Sequence, residues 1–336
     1  MLEVDEDAVF PVEADFLTEV NGLKVAAKFD CDIFNDDQPW GKHWYFWEVP
    51  SRWFQCCLHY ADIASGLITT HPRLPLVDDE YAEHTAVFQS VLRAAKTGSQ
   101  LYVFAELGAR WGTWGSRAIG FWRLKRPTGL YHAHFIESDP ENCGGLRATM
   151  ERNSIDYTLE CKEASNETLI SWFESVPRVD VIHLDIQGAE RTLLPAAIDL
   201  VNAKVYRVIV GTHSEEIHQE MKALFEVKNS GRNAIEPWIK IWEAPHTTDL
   251  QQGCIGGLLR RGYMKELRHK FAWDKMLKMK CYHDTPQGPV AGWDGALILD
   301  NPKVRESDTG LRNGRPSPCE SREPDSWLDS GDVLRA

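Results

Sequence analysis

The chain has 336 residues, 43 % hydrophobic and 26 % charged, a composition expected of a soluble globular protein with one large domain plus extensions or about two domains. Its formal net charge of −13 argues against a nucleic-acid partner, since holding a phosphate backbone takes clustered Lys and Arg. No window nears roughly 18 uninterrupted apolar residues, and the start is acidic (Glu3, Asp5, Glu6, Asp7), so neither a membrane span nor a secretory signal is expected. The eight cysteines are dispersed without a C-x-x-C pair and read as reduced thiols in an intracellular, cytoplasmic protein.

In chain order, residues 1–77 form an acidic, aromatic-rich extension. Through residue 80 the chain holds 16 Asp/Glu against 5 Lys/Arg. The rings between Trp40 and Phe54 read as packing on the main domain like a cap, with a ligand-stacking surface as the alternative. Residues 80–96 place Tyr81, His84, Val87, Phe88, Val91 and Leu92 at steps of three and four, one stripe of an amphipathic helix.

From Leu101 to about Val210, strand-type runs alternate with helix-patterned stretches, the signature of βαβ units and a parallel sheet. The strand candidates are LYVFAE (101–106), YHAHFIE (131–137), DYTLEC (156–161), VDVIHLD (179–185) and VYRVIVG (205–211). Asp139 as cap and Pro140 at the first position signal a helix over 140–153. Ser214 with Glu215 and Glu216 signals another helix start. WIKIWE (238–243) and DGALILD (294–300) fit an antiparallel edge hairpin. Between them, residues 255–284 carry eight Lys/Arg against three acidic residues and read as a basic surface helix inserted before the last strand. Residues 302–336 read as a disordered tail.

Three segments carry chemistry. In FAELGARWGTWG, Glu106 ends a strand and Gly108, Gly112 and Gly115 follow in the turn and helix start, where glycine lets a backbone approach a ligand closely. Glu137 ends the next strand, 29 residues after Gly108, where a carboxylate can accept the hydroxyls of an adenosine ribose. In VIHLDIQGAE, Asp185 ends a strand facing the same crevice, with Gln187, Gly188 and Glu190 in the loop beyond. His213 occupies the equivalent point on the following strand and could accept a proton near neutral pH. Each residue also has a purely structural reading as a turn, cap or solvated strand end. The glycine spacing does not fit the nicotinamide fingerprint G-x-G-x-x-G, because position 110 is Arg.

Together FAELGARWGTWG, HFIESDPEN, VIHLDIQGAE, VIVGTHS and WDGALILDN resemble the FkbM-type S-adenosylmethionine-dependent methyltransferases, over roughly residues 78–301. LDIQGAE is similar to the family's I-D-x-E-G-x-E, with Gln187 in place of an acidic residue. The resemblance implies a Rossmann-like class I methyltransferase fold, α/β, whose seven-stranded, mostly parallel sheet carries helices on both faces and an antiparallel last strand. It implies S-adenosylmethionine as cofactor, with its methionine part on Gly108–Gly112, Glu106 contacting or orienting it, Glu137 on the ribose, and adenine near Glu163 and Ala164. Asp185, Glu190 and His213 would line the acceptor side, with Asp185 the first choice as proton acceptor and His213 the second. Families of this type are mostly O-methyltransferases, so the expected acceptor is a hydroxyl on a sugar, glycan or secondary metabolite, with no dedicated metal site. A nicotinamide oxidoreductase on a similar sheet, or a binding module without catalysis, are the rival readings.

Overall fold

The computed structural model describes residues 9–27, 59, 62–70, 81–225, 238–244, 282–285, 288–291, 295–301 and 304. The aromatic stretch 40–54, the basic run 255–281 and the tail beyond Val304 lie outside these residues, so the cap, insert and tail readings of those segments are not addressed by the fold.

Near the N-terminus, β1 (Phe10–Pro11) pairs with β4 (Thr69–Thr70), and β2 (Phe16–Thr18) with β3 (Lys24–Ala26), both antiparallel. Helix α1 (Tyr81–Lys96) leads into β5 (Leu101–Leu107), α2 (Thr113–Lys125), β6 (Leu130–Glu137), α3 (Pro140–Arg152) and β7 (Thr158–Cys161). The second half runs α4 (Asn166–Ser175), β8 (Val179–Leu184), α5 (Glu190–Lys204), β9 (Val205–Thr212), α6 (Glu215–Phe225) and β10 (Ile239–Ala244). It closes with the hairpin β11 (Tyr282–Thr285) and β12 (Gly288–Ala291), then β13 (Gly295–Asp300). Residues 282–284 are therefore strand. Only these last residues of the segment read as a helical insert are described, and there the chain is strand, paired with β12.

Seven of the described strands form one sheet, in the order β10-β13-β9-β8-β5-β6-β7. Neighbours from β9 to β7 pair in parallel, whereas β13 runs antiparallel to both β9 and β10. A parallel sheet is covered on both faces, which is why its strands are almost wholly apolar: β8 and β9 are buried at every position. Side chains alternate between the two cores. Val103, Ala105 and Leu107 face one core with α4, α5 and α6, while Tyr102 and Phe104 face the other with α1, α2 and α3. The last strand is locked by a buried ion pair, Arg207 Nε to Asp300 Oδ1 at 2.6 Å, between residues opposite in the β9–β13 register. Three layers, a reversal of strand order and one antiparallel strand next to the edge make this the Rossmann-like class I methyltransferase fold.

Helix boundaries follow local chemistry. Asp139 accepts from the backbone N–H groups of Glu141 and Asn142, with Pro140 at the first helical position. Ser214 Oγ accepts from the N–H of Ile217 at the start of α6. The buried face of α1 runs through His84, Val87, Val91 and Ala94.

The acidic extension contributes four short strands that the sequence pattern did not announce. The β2–β3 hairpin buries Leu23 and Val25 in the core formed by α1 and α2. Glu19 pairs with Arg117 of α2 at 2.7 Å, both side chains buried. The Asn153 side chain, just past α3, accepts from the N–H of Lys24 and donates to its carbonyl, each at 2.8 Å.

Candidate active site

Strand order reverses between β5 and β8, and open α/β sheets bind ligands outside the C-terminal strand ends at that point. Gly108 follows β5 with φ of +76°. A Cβ built there would lie 1.8 Å from the carbonyl oxygen of Asp185, so even alanine is excluded. This glycine lets the loops after β5 and β8 cross in contact, a packing duty beyond any approach to a ligand. Gly112, with φ of +81°, turns the loop into α2. Between them the Arg110 N–H donates to Glu137 Oε2 at 2.7 Å and fastens the glycine loop to the end of β6.

The structure puts Glu106, Glu137, Asp185, Glu190 and His213 at this edge, with different surroundings. Glu106 is fully buried and accepts from the N–H groups of Gly115 at 2.7 Å and Trp114 at 3.2 Å, filling the N-terminus of α2. Burial pushes its carboxyl up to about 7, against the opposing pull of His183, these N–H groups and Arg117. It lies buried beneath the loop and holds the start of α2. Glu137 is 5 % exposed, with Oε1 taking the N–H of Asp139 at 2.8 Å and Oε2 that of Arg110. Each carboxylate oxygen offers more than one acceptor position, so the group can receive further hydroxyl donors. Glu163 lies exposed beyond β7, the strand next to that of Glu137.

On the other side of the reversal, Asp185 and His213 meet, with His213 Nε2 2.8 Å from Asp185 Oδ1. Burial pushes the Asp185 carboxyl up, but the hydrogen bond to His213 and the charges of His183, His213 and Arg110 outweigh it and hold it below the ordinary range. Glu190 is fully buried. Its Oε1 accepts from the N–H of Ile186 at 2.7 Å and its Oε2 from that of Gly188 at 2.8 Å. It braces the loop after β8, and its Oε1 lies 3.9 Å from His213 Nε2. Gln187 (φ +56°) and Gly188 (φ +106°) turn through the left-handed region, so LDIQGAE encodes a tight turn held by its own glutamate.

Two features were missed by sequence reasoning. His183, fully buried, sits opposite Glu106 in the β5–β8 register, 3.4 Å from Glu83 Oε1 and packed on Trp114, and burial lowers its pKa. The signal was available: a histidine in the middle of a buried, mostly apolar strand. The second is a disulfide between Cys143 and Cys161, with Cα atoms 6.0 Å apart, which corrects the reading of all the cysteines as free thiols. Helix α3 and strand β7 are packed side by side, and that brings the two residues within bridging distance. Among the described residues no group of three or more His, Cys, Asp or Glu is arranged to hold a metal ion, and no helix is long and apolar enough to cross a membrane.

No protein-family model matches the chain, and no curated protein matches it. Many solved structures resemble it at low identity. An rRNA methylase from Streptococcus thermophilus is 8 % identical with a TM-score of 0.39, over 68 % of this chain and 98 % of that one. An O-methyltransferase from Bacillus cereus, solved with S-adenosylhomocysteine, is 12 % identical with a TM-score of 0.31, over 66 % and 86 % of the two chains. TrmK from M. capricolum, also solved with S-adenosylhomocysteine, is 6 % identical with a TM-score of 0.30, over 63 % and 67 %. At these values the strand order, rather than the superposition, identifies the fold.

Proposed function

We propose that the chain is an S-adenosylmethionine-dependent methyltransferase of the FkbM type that methylates a hydroxyl on a sugar, glycan or secondary metabolite. One observation carries the choice of cofactor over its nicotinamide rival. In dinucleotide enzymes the helix N-terminus after the first strand holds the pyrophosphate. Here Glu106 already fills it, accepting from Gly115 and Trp114. A phosphate brought to the same amides would face a carboxylate, whereas a ligand with a sulfonium and an ammonium group gains from an acidic crevice. Glu137, at the end of the neighbouring strand, suits the ribose hydroxyls of that ligand.

When bound, S-adenosylmethionine supplies a methyl group on a sulfonium whose thioether leaves without protonation. The chain's own residues then have three tasks. Glu137 and the Gly108–Gly112 backbone fix the adenosine and methionine parts, and the exposed loop at Glu163 flanks the adenine. Glu106 and Glu190, both buried, hold the two crossing loops in shape so that the acceptor oxygen can line up with the methyl carbon. The Asp185–His213 pair takes the acceptor's proton as a unit, because an alcohol is a poor nucleophile while protonated. The net charge of −13 supports an uncharged small acceptor over a nucleic acid.

The test is incubation with S-adenosylmethionine labelled in its methyl group against a panel of hydroxylated sugars and secondary metabolites, with transcribed RNA alongside. Label is expected in hydroxyl compounds. Label in RNA alone would overturn the acceptor class, and cofactor binding without transfer to any acceptor would favour a module without catalysis.

A further inference from the structure

The disulfide has no role in the chemistry above, yet its position ties it to the cofactor site. Cys143 lies in the first turn of α3 and is fully buried; Cys161 ends β7 and is exposed. Cys161 is the register partner of Glu137 across the β6–β7 pair. Cys143 Sγ lies 3.4 Å from the Glu137 carbonyl oxygen. Asp139, whose N–H is bonded to Glu137 Oε1, is also the cap of α3. The segment from Glu137 to Cys143 is thus held at one end by the carboxylate's bonds to Arg110 and Asp139, and at the other by the cystine. Beyond Cys161 the chain runs directly into Glu163 and Ala164, the segment given to the adenine. One covalent link therefore joins the two stretches that would hold the adenosine.

We propose that Cys143–Cys161 is a thiol-exchange site through which a low-molecular-weight thiol and disulfide couple, such as glutathione, sets the affinity for the adenosine-containing ligand. The proposal rests on the methyltransferase reading for the identity of that ligand. The exposed residue is the point of entry: a thiolate attacks Cys161 Sγ, forms a mixed disulfide there and releases the Cys143 thiolate, which takes up a proton. A second thiol attacks the mixed disulfide, releases the Cys161 thiol and leaves as the external disulfide. Two thiols are oxidised for one cystine reduced, and the reverse exchange restores the link. With the link open, the end of β7 is no longer fixed to α3, and the ordering of the Glu137 and Glu163 segments must be supplied by the ligand, which weakens binding.

The experiment equilibrates the full chain in glutathione buffers from fully reduced to fully oxidised. Differential alkylation with peptide mass mapping reads the state of Cys143 and Cys161, and calorimetry reads the affinity for S-adenosylhomocysteine in the same samples. Opening this pair is expected to weaken binding about tenfold, a coupling of about 1.4 kcal/mol. Cys161→Ser, at an exposed position, should be held at the weaker affinity and be indifferent to the couple. An affinity unchanged while mapping shows the pair open would overturn the proposal. So would a Cys161→Ser variant that still responds, or a cystine that the couple cannot open in the folded chain. If the oxidised wild type does not bind S-adenosylhomocysteine at all, the methyltransferase reading itself fails; if it binds and ignores the redox state, only the switch falls.

Discussion

Replacing Glu137 by glutamine separates its two duties. In the wild type its oxygens take the N–H groups of Asp139 at 2.8 Å and Arg110 at 2.7 Å, in a residue that is 5 % exposed. The glutamine carbonyl can keep one of these bonds, but its amide group meets the other N–H donor to donor. One orphaned buried N–H lowers stability by about 1–3 kcal/mol. For the ligand, losing hydrogen bonds to a charged acceptor costs about 1.5–3 kcal/mol, or roughly 10–150-fold in the dissociation constant. Calorimetry should compare S-adenosylhomocysteine with its 2′,3′-dideoxy analogue, and thermal unfolding should show that the variant is folded. If the carboxylate receives the ribose hydroxyls, the substitution weakens the natural ligand but scarcely the analogue, giving a non-additive cycle. An unchanged affinity would refute the ribose role, and an equal loss for both ligands would move the effect to the Arg110 loop.

Asp185→Asn and His213→Ala should each leave S-adenosylhomocysteine affinity within a few-fold while lowering turnover by about 10²–10⁴, measured as labelled methyl transferred once an acceptor is found. Full activity in both would leave alignment alone to account for catalysis. Glu106 gives a pH signature. Its folded-state value of about 7 lies above the ordinary 4.5, so the folded chain holds that proton to higher pH than the unfolded one. The stability it contributes is full below about pH 4.5 and is lost as pH rises through about 7. Relative to Glu106→Gln, the wild type should therefore lose about 1–3 kcal/mol between pH 5 and pH 8, read by chemical denaturation. A difference that does not vary with pH would contradict the buried, ionisable reading of this carboxylate.

Much of the sheet was legible because its strands are buried on both faces, which turns each into an apolar run ended by a chemically distinct residue: Glu106 before the glycine turn, Glu137, Asp185 and His213. Periodicity also reached α1, and cap chemistry reached α3 and α6. Other features left little trace in the pattern. The β2–β3 hairpin has only three residues per strand, too few for alternation to stand out. The position of Glu190 was legible, but its bonds to the N–H groups of Ile186 and Gly188 depend on the path of the loop, which no residue pattern displays. The cystine was hidden because 18 residues separate its halves, and only the packing of α3 beside β7 joins them. His183 was passed over inside a strand whose outline was otherwise clear.

The central claim is that the crevice at the strand reversal takes an adenosyl amino-acid ligand rather than a dinucleotide, because the chain's own carboxylate fills the helix N-terminus. Calorimetry of the oxidised full chain with S-adenosylhomocysteine and, separately, with NAD tests it directly. Saturable binding of S-adenosylhomocysteine at one site per chain, with no heat from NAD, is the predicted result. Binding of NAD with S-adenosylhomocysteine silent would contradict it.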